Sequence, residues 1–183
     1  MFGHTNEPVT LARDVKATII PAGEELLLRA GTSGFITQAL GGSFTVYIEG
    51  NLFRIAGADA DALGKEPTPP PKVPDNPTDA DIEEVIWRQL KTCYDPEIPV
   101  NIVDLGLIYR CEVSALGNGE RTVSVDMTLT APGCGMGEIL VADAQEKIAV
   151  IPTVTDVRVE LVFDPPWNQT MMSDEARLQV GLM

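Results

Sequence analysis

The residues best suited to chemistry lie in Thr130-Ala131-Pro132-Gly133-Cys134-Gly135-Met136-Gly137. This stretch leaves a β-patterned run, turns on proline and glycine, and enters a helical pattern. Cys134 therefore falls at or just before a predicted helix N-terminus. Unpaired backbone N–H groups and the positive end of the helix dipole favour a thiolate there. Such a setting lowers a cysteine pKa from about 8.5 toward neutrality. Glycines on both sides leave room for a bulky ligand, a cluster edge or another protein's thiol. The alternative is a small buried hydrophobe among turn glycines, a common fate of free cysteine.

A second stretch, Asp95-Pro96-Glu97-Ile98-Pro99-Val100-Asn101-Ile102-Val103-Asp104-Leu105-Gly106-Leu107, is too irregular for one element. Its Asp and Asn side chains suit turn capping. They also suit a reactive site, in which Asp95 and Glu97 act as hard oxygen ligands to iron. They cannot activate a thiol by charge, because a nearby carboxylate raises its pKa. Cys93, closing an amphipathic helix, and Cys111, on the apolar face of a strand, read as core residues. Gaps of 17 and 22 residues separate the three cysteines, and no C-x-x-C pair occurs. One chain with three cysteines cannot close a four-thiolate site, so a metal or cluster would be handled transiently, with a partner's ligands. His4 is the only histidine, and no P-loop, dinucleotide fingerprint or G-x-S-x-G elbow appears. A turnover enzyme is not expected.

The elements that must hold these residues follow from periodicity. Thr78 or Asp79 caps a helix over about 81–93, with Ile82, Val85, Ile86 and Leu90 at the 3.6-residue repeat. Leu107–Val113 alternates, with Leu107, Tyr109, Cys111 and Val113 predicted on one face. Gly117-Asn118-Gly119 turns the chain into a strand over 122–129. A helix over about 135–150, a strand over 154–163 and a short helix from Ser173 complete an α/β domain, with helices on one face of a mixed sheet. Upstream, Lys65–Pro77 holds six prolines in thirteen residues and cannot form a helix or central strand. It separates a domain at 1–64 from one at 78–183. The first reads as five short strands with glycine turns, a small SH3-like all-β barrel.

The balance of 13 basic against 27 acidic residues, net −14, disfavours nucleic acid and anionic membrane surfaces as partners. The first residues lack a basic run followed by an apolar stretch, and no apolar segment approaches the roughly 20 residues of a membrane span. The expectation is a cytoplasmic protein with reduced thiols.

Residues Asp95–Tyr109 resemble the opening signature of the metal–sulfur cluster biosynthesis (PaaD-like) domain, and Thr130–Cys134 resembles its second signature. The proline linker and the ending from Asp164-Pro165-Pro166-Trp167 to Leu178 are similar to the SufT branch. The resemblance implies an auxiliary factor of iron–sulfur cluster assembly, not an enzyme. It would work as a homodimer with SUF cluster-assembly proteins and cluster-requiring clients. By position it assigns the key cysteine, and metal ligation, to Cys134, the acidic loop residues to Asp95 and Glu97, and the strand-end threonine to Thr130. A transient iron–sulfur cluster or iron would be the cargo. Many relatives carry threonine at the place of Ala131 and proline at that of Gly135, so no hydroxyl acts at 131. The competing reading is a pure adaptor docking partners through its acidic surface, Trp167 and Met171-Met172, with Cys134 structural.

Overall fold

The computed structural model describes residues 6–95, 98, 100–131 and 137–182. The chain divides into two compact units, Met1–Pro69 and Pro70–Met183.

The first unit is an antiparallel sheet of six strands in the order β1-β4-β5-β6-β2-β3. These are β1 (Glu7–Thr10), β2 (Val15–Ile20), β3 (Glu25–Leu28), β4 (Ser33–Leu40), β5 (Ser43–Ile48) and β6 (Asn51–Ile55). The sequence led to five strands; β1 is the addition. It carries Pro8, which removes a backbone donor and argues against a strand. As an edge strand paired only to β4, it tolerates that loss. The β5–β6 hairpin turns at Glu49 and Gly50, both at positive φ, and pairs Ile48 with Asn51. Val15, Ala17, Ile36, Val46, Phe53 and Ile55 form the core of this unit.

The second unit is a mixed α+β fold. Its helix α1 (Asp79–Leu90) starts at a capping box: Thr78 Oγ1 accepts from the Asp81 N–H at 3.2 Å, and the Asp81 carboxylate accepts from the Thr78 N–H at 2.8 Å. Strands β7 (Ile108–Ala115) and β8 (Arg121–Met127) are antiparallel. Helix α2 (Gly137–Ala149) then returns the chain to β9 (Val154–Leu161), which is parallel to β8. On β8 the residues alternate. Val123, Val125 and Met127 are buried with Ile82, Val85 and Ile86 of α1 and Leu140, Ala144 and Ile148 of α2. Thr122, Ser124 and Asp126 occupy the other, half-exposed face. Gln89 Nε2 donates to Lys147 O (2.9 Å), joining the ends of the two helices. Arg121, 8% exposed, donates to the Asp79 carboxylate (2.7 Å) and Pro77 O (2.6 Å), fixing the start of α1 on the sheet.

Two expectations about this unit need correction. A β-bulge between Ile108 and Arg110 breaks the alternation on β7. Tyr109 is thereby turned out of the core set, and its hydroxyl donates to Pro165 O at 2.7 Å. Trp167, which reads as an exposed docking residue in sequence, is half-buried, and its Nε1–H donates to Leu105 O at 2.7 Å. Met172 is buried at 5% exposure, directly before the short helix α3 (Asp174–Gln179). These side chains hold the C-terminal segment onto the fold and do not form a free docking surface. Among the described residues no helix is long and apolar enough to cross a membrane.

The Trp167 bond leads to a stability prediction. Trp167→Phe keeps most of the ring packing but leaves Leu105 O without its donor, a loss of about 1–2 kcal/mol. Denaturant unfolding of the full chain should show a lower midpoint at unchanged slope; an unchanged midpoint contradicts the latch.

Candidate functional site

The described residues of the irregular stretch after α1 make their own hydrogen bonds. Cys93 O accepts from the Ile102 N–H (2.9 Å), and the Asp95 N–H donates to Val100 O (3.2 Å), bringing the two arms together. Asp95, 9% exposed, accepts the Ile98 N–H on Oδ1 at 3.0 Å. The Asn101 side chain caps the next turn. Its Oδ1 accepts from the Val103 and Asp104 N–H groups at 3.1 and 2.9 Å, and its Nδ2 donates to Asp104 Oδ2 at 2.6 Å. The capping role that the sequence suggests for these residues is therefore present.

Gly106 closes the loop at φ +77°, and a Cβ there would run into Met171 O. The Ser173 N–H donates to Asp104 O at 2.8 Å beside it, so loop and C-terminal segment hold one another.

This loop leads into β7 at the end of the sheet where β8 and β9 finish. The Thr128 N–H donates to Leu107 O at 2.8 Å, extending the β7–β8 ladder by one step. That bond joins the first signature stretch to the segment Thr128–Ala131, which leads into the second. Thr128 is buried at 1% exposure and Thr130 is half-buried. Gly137, the first residue of α2, has Leu129 so near that a Cβ would lie 2.7 Å from its Cδ1. The bare glycine lets the helix start close against the strand exit. The carboxyl ends of parallel strands are where open α/β sheets place their ligands. Asp95 and Thr130 lie on segments at that end. Cys134 and Glu97 lie outside the described residues.

The other two thiols are withdrawn from chemistry. Cys93 is wholly buried in the core. Cys111 is half-buried, and desolvation pushes its pKa up to about 11, with a smaller contribution from the Glu83 carboxylate. Cys111 is therefore protonated at neutral pH, and Cys93 is closed off by burial. Among the described residues no three His, Cys, Asp or Glu side chains group as a metal site.

Sequence reasoning did not foresee a shallow hollow of about 700 Å³ on the polar face at the same end of the sheet, lined by Tyr109, Arg110, Asp126, Asp164 and neighbours. Arg110 there donates to Asp126 (3.0 Å) and Glu112 (2.7 Å), so its charge is already matched. The missing signal was the bulge, which turns Tyr109 toward this side and has no marker in the sequence.

Residues 83–161, inside the second unit, match the family described as iron-sulfur cluster assembly protein. An Fe-S protein maturation auxiliary factor of Porphyromonas gingivalis is 48% identical over 101 residues, covering 55% of this chain and 92% of that protein. The Fe-S protein maturation auxiliary factor SufT of Staphylococcus aureus is 40% identical over 88 residues, covering 48% of this chain and 96% of that protein. A solved domain of unknown function from Bacillus anthracis is 33% identical, covering 56% of this chain and 93% of that one, with a TM-score of 0.49.

The burial pattern predicts selective labelling. In the native protein at pH 7.5, iodoacetamide should leave Cys93 and Cys111 unmodified, and Cys111 should react appreciably only as pH approaches about 11. Peptide mass mapping reads this out; rapid labelling of Cys111 at neutral pH would contradict its burial.

Proposed function

The chain belongs to the iron–sulfur cluster assembly protein family, and from that premise we propose an auxiliary factor that handles an iron–sulfur cluster, or iron, as cargo through the Cys134 thiol. The observation that carries this reading is the state of the other cysteines. With Cys93 sealed in the core and Cys111 held as a protonated thiol, Cys134 is the remaining candidate among three. Its stretch follows directly on the strand exit that Leu107 and Thr128 tie to the Asp95 loop.

In this reading Cys134 supplies the soft ligand, Asp95 and Glu97 supply oxygen donors for iron, and the Thr130 hydroxyl assists at the strand exit. One thiolate holds a cluster incompletely, so cargo must be shared with a partner's ligands and passed on. That suits a non-enzymatic factor acting in the cytoplasm, as a homodimer, with SUF cluster-assembly proteins and the clients that need clusters. Domain roles follow the same reading: cargo handling at 78–183, a proline-rich spacer at 65–77, and a small SH3-like domain at 1–64, for which the six antiparallel strands give support. The latching of Trp167 and Met172 counts against the adaptor alternative in the form that uses them as the docking surface.

Anaerobic reconstitution with iron and sulfide tests the proposal. The wild-type chain should gain visible absorption and Mössbauer signals of bound iron, and Cys134→Ser should lose most of both while keeping its circular dichroism. Equal iron and sulfide loading in the two proteins would remove the thiol from the mechanism.

A further inference from the structure

Among the described residues, strand β9 is the outer strand of its sheet and is paired along one of its two edges. It pairs with β8 in parallel, and the Val162 N–H, just past its end, donates to Met127 O at 2.8 Å. The N–H and C=O of one residue in a strand point the same way, and successive residues alternate. Val157, Val159 and Leu161 therefore direct their backbone groups away from β8, along the open edge. The only irregularity in the pairing lies at its start, between Arg121 and Thr122, so 156–161 is regular. No proline or lysine interrupts it. Natural edges of this length are usually blunted by such residues, by bulges or by a covering element.

The opposite edge differs. Strand β7 carries the bulge, Tyr109 is bonded to Pro165 of the C-terminal segment, and Arg110 is neutralised within its own chain.

Beside the open edge, between β9 and α2, run two adjoining concavities of about 440 and about 300 Å³. They share Ala142 and Gln145 as helix lining, while Val157 and Val159 line them from the strand. The other face of β9 carries Asp156, Arg158 and Glu160, all exposed. Among the described residues Arg158 has no ion-pair partner in its own chain.

This charge order is self-complementary. When two identical strands pair antiparallel about a two-fold axis, residues equally far from the centre face each other. Keeping the helix-side faces together restricts the choice of centre. Centred on Val157, Asp156 faces the partner's Arg158, and the symmetry makes this pair twice. Centred on Val159, Arg158 faces the partner's Glu160, again twice. A centre at any of the charged residues instead sets like on like, and a centre at Arg158 does so three times over, with Arg158 on Arg158 and Asp156 on Glu160. Opposite charges directly across a strand pair are favourable and like charges unfavourable. The outward backbone groups of Val157 and Val159 lie at the centre in the two favourable registers, ready for the paired bonds of an antiparallel ladder.

We propose that β9 adds antiparallel to β9 of a second copy of this chain, joining two three-stranded sheets into one of six strands with Arg158 paired across the axis. The axis stands perpendicular to the sheet, so α2 comes to lie beside its counterpart, with exposed Ala142 at the middle, where a small side chain permits close approach. This rests on the homodimer of the reading above but not on its cargo.

Sedimentation velocity of the full chain across a concentration series provides the test. The wild type should be dimeric, and Arg158→Glu should raise the dimer Kd by about tenfold or more, because both symmetry-related pairs turn repulsive. Circular dichroism should be unchanged, since Arg158 is exposed. A second reversal should restore the dimer: Asp156→Lys if the centre is Val157, Glu160→Lys if it is Val159. Restoration by either supports the proposal and reports the register. A monomeric wild type, an unweakened Arg158→Glu dimer, or failure of both reversals to restore it overturns the proposal. None of these outcomes bears on iron loading by Cys134, so the two readings can fail separately.

Discussion

A backbone hydrogen bond from Thr128 to Leu107 does more for this unit than its own strength would suggest. It carries the β7–β8 ladder past its last regular pair and commits an irregular loop to the exit of the central strand. The loop's polar groups would otherwise need water or strain to be satisfied. Instead Asn101 accepts from the Val103 and Asp104 N–H groups, and Asp95 accepts from the Ile98 N–H. The Leu105, Gly106 and Leu107 N–H groups donate to carbonyls of residues 101–103, and Gly106 supplies the backbone conformation that lets Met171 approach. The C-terminal segment then closes over the loop through the Trp167 and Ser173 bonds. The end of the sheet assigned to function is therefore built from contacts between segments about 60 residues apart in the chain.

Three cysteines in one small chain invite a common explanation, but their surroundings separate them. Cys93 is packed among the core of α1 and the following loop, where a thiol acts as a small apolar group. Cys111 sits on β7, where partial burial penalises the thiolate. Thiol chemistry depends on the charged form, so an environment that opposes ionisation is as informative as one that promotes it. The acidity of the chain acts in the same direction for any thiol near carboxylates, which favours a ligand role for Asp95 over a part in activating sulfur.

Much of the second unit was legible in sequence. The helix expected over about 81–93 and found at Asp79–Leu90 came from a 3.6-residue repeat and a Thr78 or Asp79 cap, and β8 and β9 came from runs of strand-patterned residues; such patterns record which face is buried. The misreadings have a different origin. Strand β1 was not anticipated, and its Pro8 is tolerated because an edge position has no use for the missing donor on its solvent side. Tyr109 followed the alternation in sequence, and one bulge reversed it. Trp167 lay in a proline-rich stretch without periodicity, so nothing local revealed that Leu105 O would be waiting for its indole N–H. Asp95 was legible both as a turn former and as a ligand; the geometry gives the first role directly.

Residue order by itself determined the two-part organisation expected around the proline run, the helical and strand periods, the family to which the chain belongs and the stretch holding Cys134. These are local or pattern properties, written in neighbouring residues. Tertiary structure alone decided which aromatic side chain latches the C-terminal segment and which sheet edge, among the described residues, stays open with its charges in self-complementary order. Burial, hydrogen-bond partnership and edge position depend on residues far apart in the chain, and no short window of sequence contains both halves of such a contact.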